Sequence, residues 1–435
     1  MIRNDDLNIK TVTIVGANGT MGTNIAGIFA SFGNADVFMV CRDFEKSKTA
    51  IEKAYRSVRA DSIKNKLHPA DYSMLADCVK VSDLVFESVA EKIEIKEDIT
   101  KQIASNVKPD AIVCSGTSGL SINAIASCLP QKMRSRYYGV HMFNPPYSLC
   151  LCELIPSADA DSKMTELLAK YLRDQLKRTV VFAADEPAFL ANRIGFHFLN
   201  KALQYAEKYK LRGGIDYIDS ILDVFSGRLM PPLATIDFVG LDIHLSIVDN
   251  VFQNANDYEK EAFLCPQFVK ELIEQGKKGR KTGEGLYKTV IVEGKKEKYV
   301  YDIVSKQYRK RKQYDFSFSA EMNEKIREGN YKEAIKILAF DKSDEANICL
   351  NFLIDYIVYS LNMANSISNS LSAADDAMAT GFNWCPPLAL YGLLSTVIDV
   401  EERAREFEIN GLETDVFSRM ERSKYDYRPF FRVSK

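Results

Sequence analysis

Residues 141–153 read HMFNPPYSLCLCE, a histidine and a glutamate twelve positions apart. His141 ends a short run, Tyr138–His141, that reads as a buried strand, and Glu153 follows a Pro-Pro turn able to fold the chain back. An imidazole beside a carboxylate is a general-base device: the carboxylate fixes the tautomer and stabilises the imidazolium formed when a proton arrives. His141 is expected at the carboxyl edge of a sheet, where open α/β folds place their ligands. A core histidine packed for shape alone is the alternative; a cofactor loop in the same domain favours the base.

That loop is near the N-terminus. The run Thr11–Val15 leads into Gly16-Ala17-Asn18-Gly19-Thr20-Met21-Gly22 and then a helical stretch. Glycines at such a turn let backbone N–H groups approach a pyrophosphate, and the helix N-terminus adds partial positive charge. The spacing is G-x-x-G-x-x-G, one residue longer than the usual dinucleotide fingerprint. The acid that ordinarily holds the adenosine ribose should end the second strand, about 20 residues on. Here that strand ends Val40-Cys41-Arg42-Asp43, and Cys41 takes the expected acid position. Arg42 can accept a 2′-phosphate or Asp43 can reach the ribose, so NAD and NADP both stay open.

Together these residues resemble the L-3-hydroxyacyl-CoA dehydrogenase family. The family's H-x-F-N-P with a later glutamate is matched by His141, Phe143, Asn144, Pro145 and Glu153. Its N-T-S-S-L is matched in part by GTSGL at 116–120, its D-x-P-G-F-x-x-N-R by Asp185, Pro187, Phe189, Asn192 and Arg193, and its K-T-G-x-G-F-Y by KTGEGLY from Lys281. The resemblance covers about residues 10–288, and GFNW at 381–384 is similar to long or fused members with a duplicated helical unit. It implies reversible hydride transfer between the 3-hydroxyl of an (S)-3-hydroxyacyl-CoA and NAD, with NADP possible, in fatty-acid β-oxidation chemistry. It further implies that His141 is the base, that Glu153 orients it, and that Ser118 and Asn192 hydrogen-bond the substrate. Glu91, Lys96, Asn144 and Lys281 match positions that contact the dinucleotide, alongside the loop residues Gly16, Asn18, Gly19, Thr20, Met21 and Gly22 and the adjacent Arg42. Five departures stand out: Gly116 for Asn, Gly119 for Ser, Ala188 for Gly, Pro231 for Gly and Cys41 for the ribose acid. Another hydroxy acid as substrate, or a non-catalytic dinucleotide-binding regulatory protein, are the rival readings.

The elements that must position these residues follow from periodicity. Apolar runs at Thr11–Val15, Val37–Val40, Leu84–Glu87, Ala111–Cys114, Tyr138–His141 and Thr179–Phe182 alternate with helical stretches such as Asn24–Phe32, Phe44–Val58 and Lys92–Ser105. This is the rhythm of a doubly wound parallel sheet. After Pro187 the pattern turns helical, with a long amphipathic segment over Phe189–Tyr209. PPLA occurs at 231–234 and again at 386–389, and the same offset aligns Ala191-Asn192 with Ala346-Asn347, pointing to a duplicated helical unit. The expected fold is α/β plus all-α: a Rossmann-type domain over 1–186, a helical domain over 187–290, a linker over 291–344 and a second, related helical domain over 345–435. The run KQYRKRKQ within that linker reads as a solvated face.

Composition agrees with this class. Of 435 residues, 46% are hydrophobic and 27% charged, enough for sizeable cores. Lys plus Arg (57) nearly balances Asp plus Glu (59), which argues against nucleic acid as a partner. The nine cysteines are scattered without C-x-x-C pairs, which suits reduced thiols in the cytoplasm and gives no zinc spacing. No secretory signal and no membrane-spanning run are read, so the expected partner is an acyl-CoA substrate, with the chain a monomer or homodimer.

Overall fold

The computed structural model describes residues 7–434. They gather into two compact units, one ending at Phe189 and the other beginning at Leu190.

The first unit is built on eight strands: β1 (Thr11–Val15), β2 (Asp36–Cys41), β3 (Leu67–Asp71), β4 (Leu84–Glu87), β5 (Ile112–Ser115), β6 (Tyr137–Met142), β7 (Leu151–Pro156) and β8 (Thr179–Phe182). Their order is β3-β2-β1-β4-β5-β6-β7-β8. All neighbours run parallel except β6 and β7. The six strands read from apolar runs are present, each within a residue. β3 and β7 are additional: Leu67-His68-Pro69-Ala70-Asp71 lacks a continuous apolar run, and Leu151–Pro156 carries a charge in its middle. Helices cover both faces, so β1, β4 and β5 are buried throughout apart from Thr11. The helix Phe44–Val58 starts where Asp43 accepts from Lys46 N (2.8 Å) and ends at Arg59 in the left-handed region.

Parallel register aligns the strand ends. Val15 lies opposite Glu87, Glu87 opposite Ser115, and Ser115 opposite Gly139. The segments leaving β1, β4 and β5, together with the last residues of β6, therefore share one carboxyl edge.

The second unit is mainly helical. Its helix Ala191–Lys208 packs on the 25-residue helix Asp344–Ser368. Phe198 meets Phe352 edge-on at 5.2 Å. The buried Arg228 guanidinium lies 3.6 Å from the Phe198 ring centre, 4.7 Å from Trp384 and 4.9 Å from Tyr356. The two PPLA stretches open matching eight-residue helices, Pro232–Val239 and Pro387–Leu394. Proline suits the first helical position because its missing N–H would have no partner there. Each start is closed by a remote buried carboxylate: Asp219 accepts from Leu233 N (2.7 Å) and Ala234 N (3.0 Å), and Asp375 accepts from Leu388 N (2.7 Å). Burial pushes the Asp219 carboxyl up to about 7 and that of Asp375 up to about 6.

The expected linker over 291–344 is a correction. This stretch carries strands β10 (Lys295–Asp302) and β11 (Gln307–Lys310), antiparallel to β9 (Tyr287–Val292) and to each other, and then helices Ser317–Arg327 and Tyr331–Phe340. Val300 and Tyr301 are buried. The basic run is not wholly solvated either: Arg309 donates two hydrogen bonds to the buried Asp216, at 2.6 and 2.7 Å. A partner 93 residues away turns an apparent surface charge into an anchor. The three segments expected beyond residue 187 thus belong to one compact unit.

No described helix is long and apolar enough to cross a membrane. All nine cysteines are free thiols, six of them buried.

Candidate active site

The twelve-residue spacing of His141 and Glu153 is a consequence of register. The turn after Met142 reverses the chain, and antiparallel β6–β7 pairing sets His141 directly opposite Glu153. Directly paired residues project from the same face. The His141 Nδ1 lies 2.6 Å from a Glu153 carboxylate oxygen, and both side chains are buried. Phe143 and Phe189 pack against the imidazole, with ring centres at 4.5 and 5.8 Å. Phe189 and Ala188 both adopt left-handed backbone, with φ of 51° and 64°. Ala188 stands where the sequence pattern has glycine, so a backbone bend that favours glycine is here carried by a residue with a Cβ.

Asp185, in the same motif, grips the next segment. It accepts from Ser121 Oγ, Ile122 N and Asn123 N at 2.7–2.8 Å, and so anchors the start of the short helix Ile122–Ala126. This holds the loop carrying Ser118 from one side. From the other, Glu91 accepts from Thr117 Oγ1 (2.6 Å) and Ser118 N (2.7 Å). A Cβ on Gly116 would stand 2.6 Å from the Phe86 ring, so the departure from Asn at this position goes with a phenylalanine filling the space.

Glu87 was not singled out from sequence. It ends β4 almost fully buried and accepts from Lys96 Nζ (2.9 and 3.2 Å), Ser115 Oγ (2.7 Å) and Val89 N (2.6 Å). Lys96 also lies 3.3 Å from Glu91. The Lys96 ammonium is therefore neither on a solvated helix face nor an exposed cation; it is sunk between two carboxylates and supports the loop through Glu91. Only a strand-terminal acid nine residues before a lysine could have hinted at this.

The glycine loop fits a pyrophosphate. Gly16 has φ +84°, and a Cβ there would fall 2.5 Å from Ser88 O; one on Gly22 would fall 2.6 Å from Gly16 O. Gly19 precedes the helix Thr20–Ser31, whose start has no side-chain cap and no acid in its first turn, leaving the positive end open to an anion. Asn18, Thr20 and Met21 belong to this same turn. Asn144, exposed, accepts from Asn24 Nδ2 of that helix at 3.4 Å.

Two of the candidate residues lie in the second unit. Asn192 is buried in the first turn of the helix Ala191–Lys208, next to Arg193, which pairs with Asp257 at 2.8 Å. Lys281 pairs with Asp242. This unit also holds a cluster with metal-ligand chemistry: His197, Glu259 and Asp355 bring one donor atom each within 4.8 Å of one another. Lys201 reaches both carboxylates, at 2.9 Å from Asp355 and 3.5 Å from Glu259, so an ammonium already supplies the positive charge there.

Residues 11–186 match the family description "3-hydroxyacyl-CoA dehydrogenase, NAD binding domain" and residues 189–289 match "3-hydroxyacyl-CoA dehydrogenase, C-terminal domain". A protein named "Probable 3-hydroxyacyl-CoA dehydrogenase" from Bacillus subtilis is 29% identical over 404 residues, 87% of this chain and 50% of that one. A Caenorhabditis elegans protein of the same description is 31% identical over 300 residues, 64% of this chain and 93% of its own. The solved structure of 3-hydroxybutyryl-CoA dehydrogenase from Escherichia coli covers 95% of this chain and 98% of its own, with TM-score 0.70 at 20% identity, a likeness of fold. The chain spans about half the length of the first curated relatives it matches.

Proposed function

Because the chain belongs to the 3-hydroxyacyl-CoA dehydrogenase family, we propose that it interconverts (S)-3-hydroxyacyl-CoA and 3-ketoacyl-CoA, with His141 as general base. The observation that carries this reading is the 2.6 Å contact between His141 Nδ1 and the buried Glu153. A carboxylate can only accept, so the ring hydrogen on that side sits on Nδ1 and Nε2 keeps its lone pair. Nε2 takes the proton of the substrate's 3-hydroxyl while the hydrogen on the same carbon departs as hydride. When bound, NAD supplies the hydride acceptor at its nicotinamide ring.

The remaining residues bind and orient. Gly16, Asn18, Gly19, Thr20, Met21 and Gly22 surround the pyrophosphate, and Asn144 and Glu91 border the dinucleotide. Ser118 and Asn192 hydrogen-bond the substrate around its reacting carbon. Glu153 stabilises the imidazolium; in the reverse direction that imidazolium protonates the forming alkoxide. Positioning and base together lower the barrier by several kcal/mol, the base alone contributing about 10²–10⁴-fold.

Nicotinamide absorbance followed with acetoacetyl-CoA, and separately with free acetoacetate, tests the reading. Turnover of the thioester is expected. Turnover of the free acid alone would assign the site to another hydroxy acid, and turnover of neither would remove the enzymatic reading.

A further inference from the structure

The glycine loop rests on the end of β2. The amides of Gly16 and Ala17 donate to Val40 O at 3.0 and 3.2 Å. Residues just after β2 therefore border the loop at the place where this kind of fold holds the adenosine ribose. A carboxylate there accepts from the ribose hydroxyls and repels a 2′-phosphate; an arginine does the opposite.

The carboxylates nearest this point among the described residues already hold partners within their own segments or in the core. Cys41 is fully buried, and desolvation pushes its thiol up, so it carries no charge. Asp43 turns toward the next helix, accepting from Lys46 N (2.8 Å) and pairing with Lys46 Nζ (2.9 Å). Asp71, opposite Cys41 in the β2–β3 register, accepts from Ser73 N (2.9 Å) and Ser73 Oγ (2.5 Å). Glu87 is enclosed by Lys96, Ser115 and Val89. Arg42, in contrast, is exposed and forms no ion pair among the described residues.

We propose that Arg42 receives the 2′-phosphate of NADP, so that this chain takes NADP at least as well as NAD. The inference rests on the dinucleotide site proposed above and adds its specificity. Replacing the ribose acid by a thiol removes an acceptor that favours NAD and, with it, the repulsion that excludes NADP. The neighbouring guanidinium supplies charge-assisted hydrogen bonds to phosphate oxygens.

Calorimetric titration of the full chain with NADP and with NAD reads this directly, with kcat/KM for both reduced dinucleotides as a second measure. The expected result is an NADP dissociation constant equal to or below that for NAD. Arg42→Gln is exposed and should fold; it should weaken NADP about tenfold more than NAD. Cys41→Asp should shift the ratio toward NAD. Tenfold tighter binding of NAD by the unaltered protein would overturn the inference alone, as would an Arg42→Gln variant that weakens both dinucleotides equally. Binding of neither dinucleotide would overturn it together with the proposed function.

Discussion

His141 and His197 are both buried imidazoles close to carboxylates, and their surroundings differ in one respect that matters. His141 is at a strand end with one acid, Glu153, and two phenylalanine rings beside it. His197 is inside a helix, stacked flat on Tyr359 at 3.6 Å, with Glu259 at 3.6 Å and Asp355 at 4.0 Å. Lys201 lies between those two acids. Glu259 loses solvation by burial, yet the contacts from His197 and Lys201 hold its carboxyl down at about 2. The charge around His197 is thus shared among two acids and an ammonium, whereas His141 holds the single carboxylate of Glu153 at hydrogen-bond distance. The same residue types build a network of two acids around Lys201 in one unit and the proposed base with its single acid in the other.

The sharpest way to break this contrast is His141→Ala. It should lower kcat by about 10²–10⁴-fold while dinucleotide binding and circular dichroism survive. Activity within tenfold of the parent would make His141 a packing residue like its counterpart. On the other side, Asp355→Ala should cost about 3 kcal/mol of stability, because it leaves a largely buried Lys201 with one acid in place of two. Urea unfolding would measure it, and a loss below about 1 kcal/mol would show that Glu259 alone suffices.

A smaller effect concerns pH. The Asp219 carboxyl is raised from 3.8 to about 7 by burial, so between these values the folded chain binds more protons than the unfolded one. Stability from this group is full below about pH 4 and declines as pH rises through about 7. Asp219→Asn should flatten that part of the stability–pH profile. An unchanged slope would mean that other groups, such as Asp375, carry the dependence. Smallest is Ala188→Gly next to Phe189: relief of left-handed backbone should add about 0.5–1 kcal/mol to the first unit's stability, read from the unfolding midpoint. A loss would show that the Ala188 methyl packs usefully against its neighbours.

Much of the site was legible in the chain. Glycine spacing between a strand and a helix, and a histidine twelve residues before a glutamate across a Pro-Pro turn, are local patterns. They survive translation into structure because chain reversal and two-residue alternation act over short distances. Lys96 was less legible. The resemblance implies a contact with the dinucleotide, and nothing near it in the chain shows that Glu87, at the end of a neighbouring strand, draws its ammonium inside. Arg309 looked like part of a solvated charge run, yet it anchors on Asp216. In each case the burial of a charge depends on a partner that no local window contains.

The residues proposed to carry the chemistry were therefore readable in the order of the amino acids, since a loop for phosphate and an acid–base pair need only neighbouring residue types and a turn. Which charges stay available, and which are cancelled, was settled by folding. Compensation requires side chains from distant segments to meet at hydrogen-bond distance, and only packed helices and aligned strand ends bring them there.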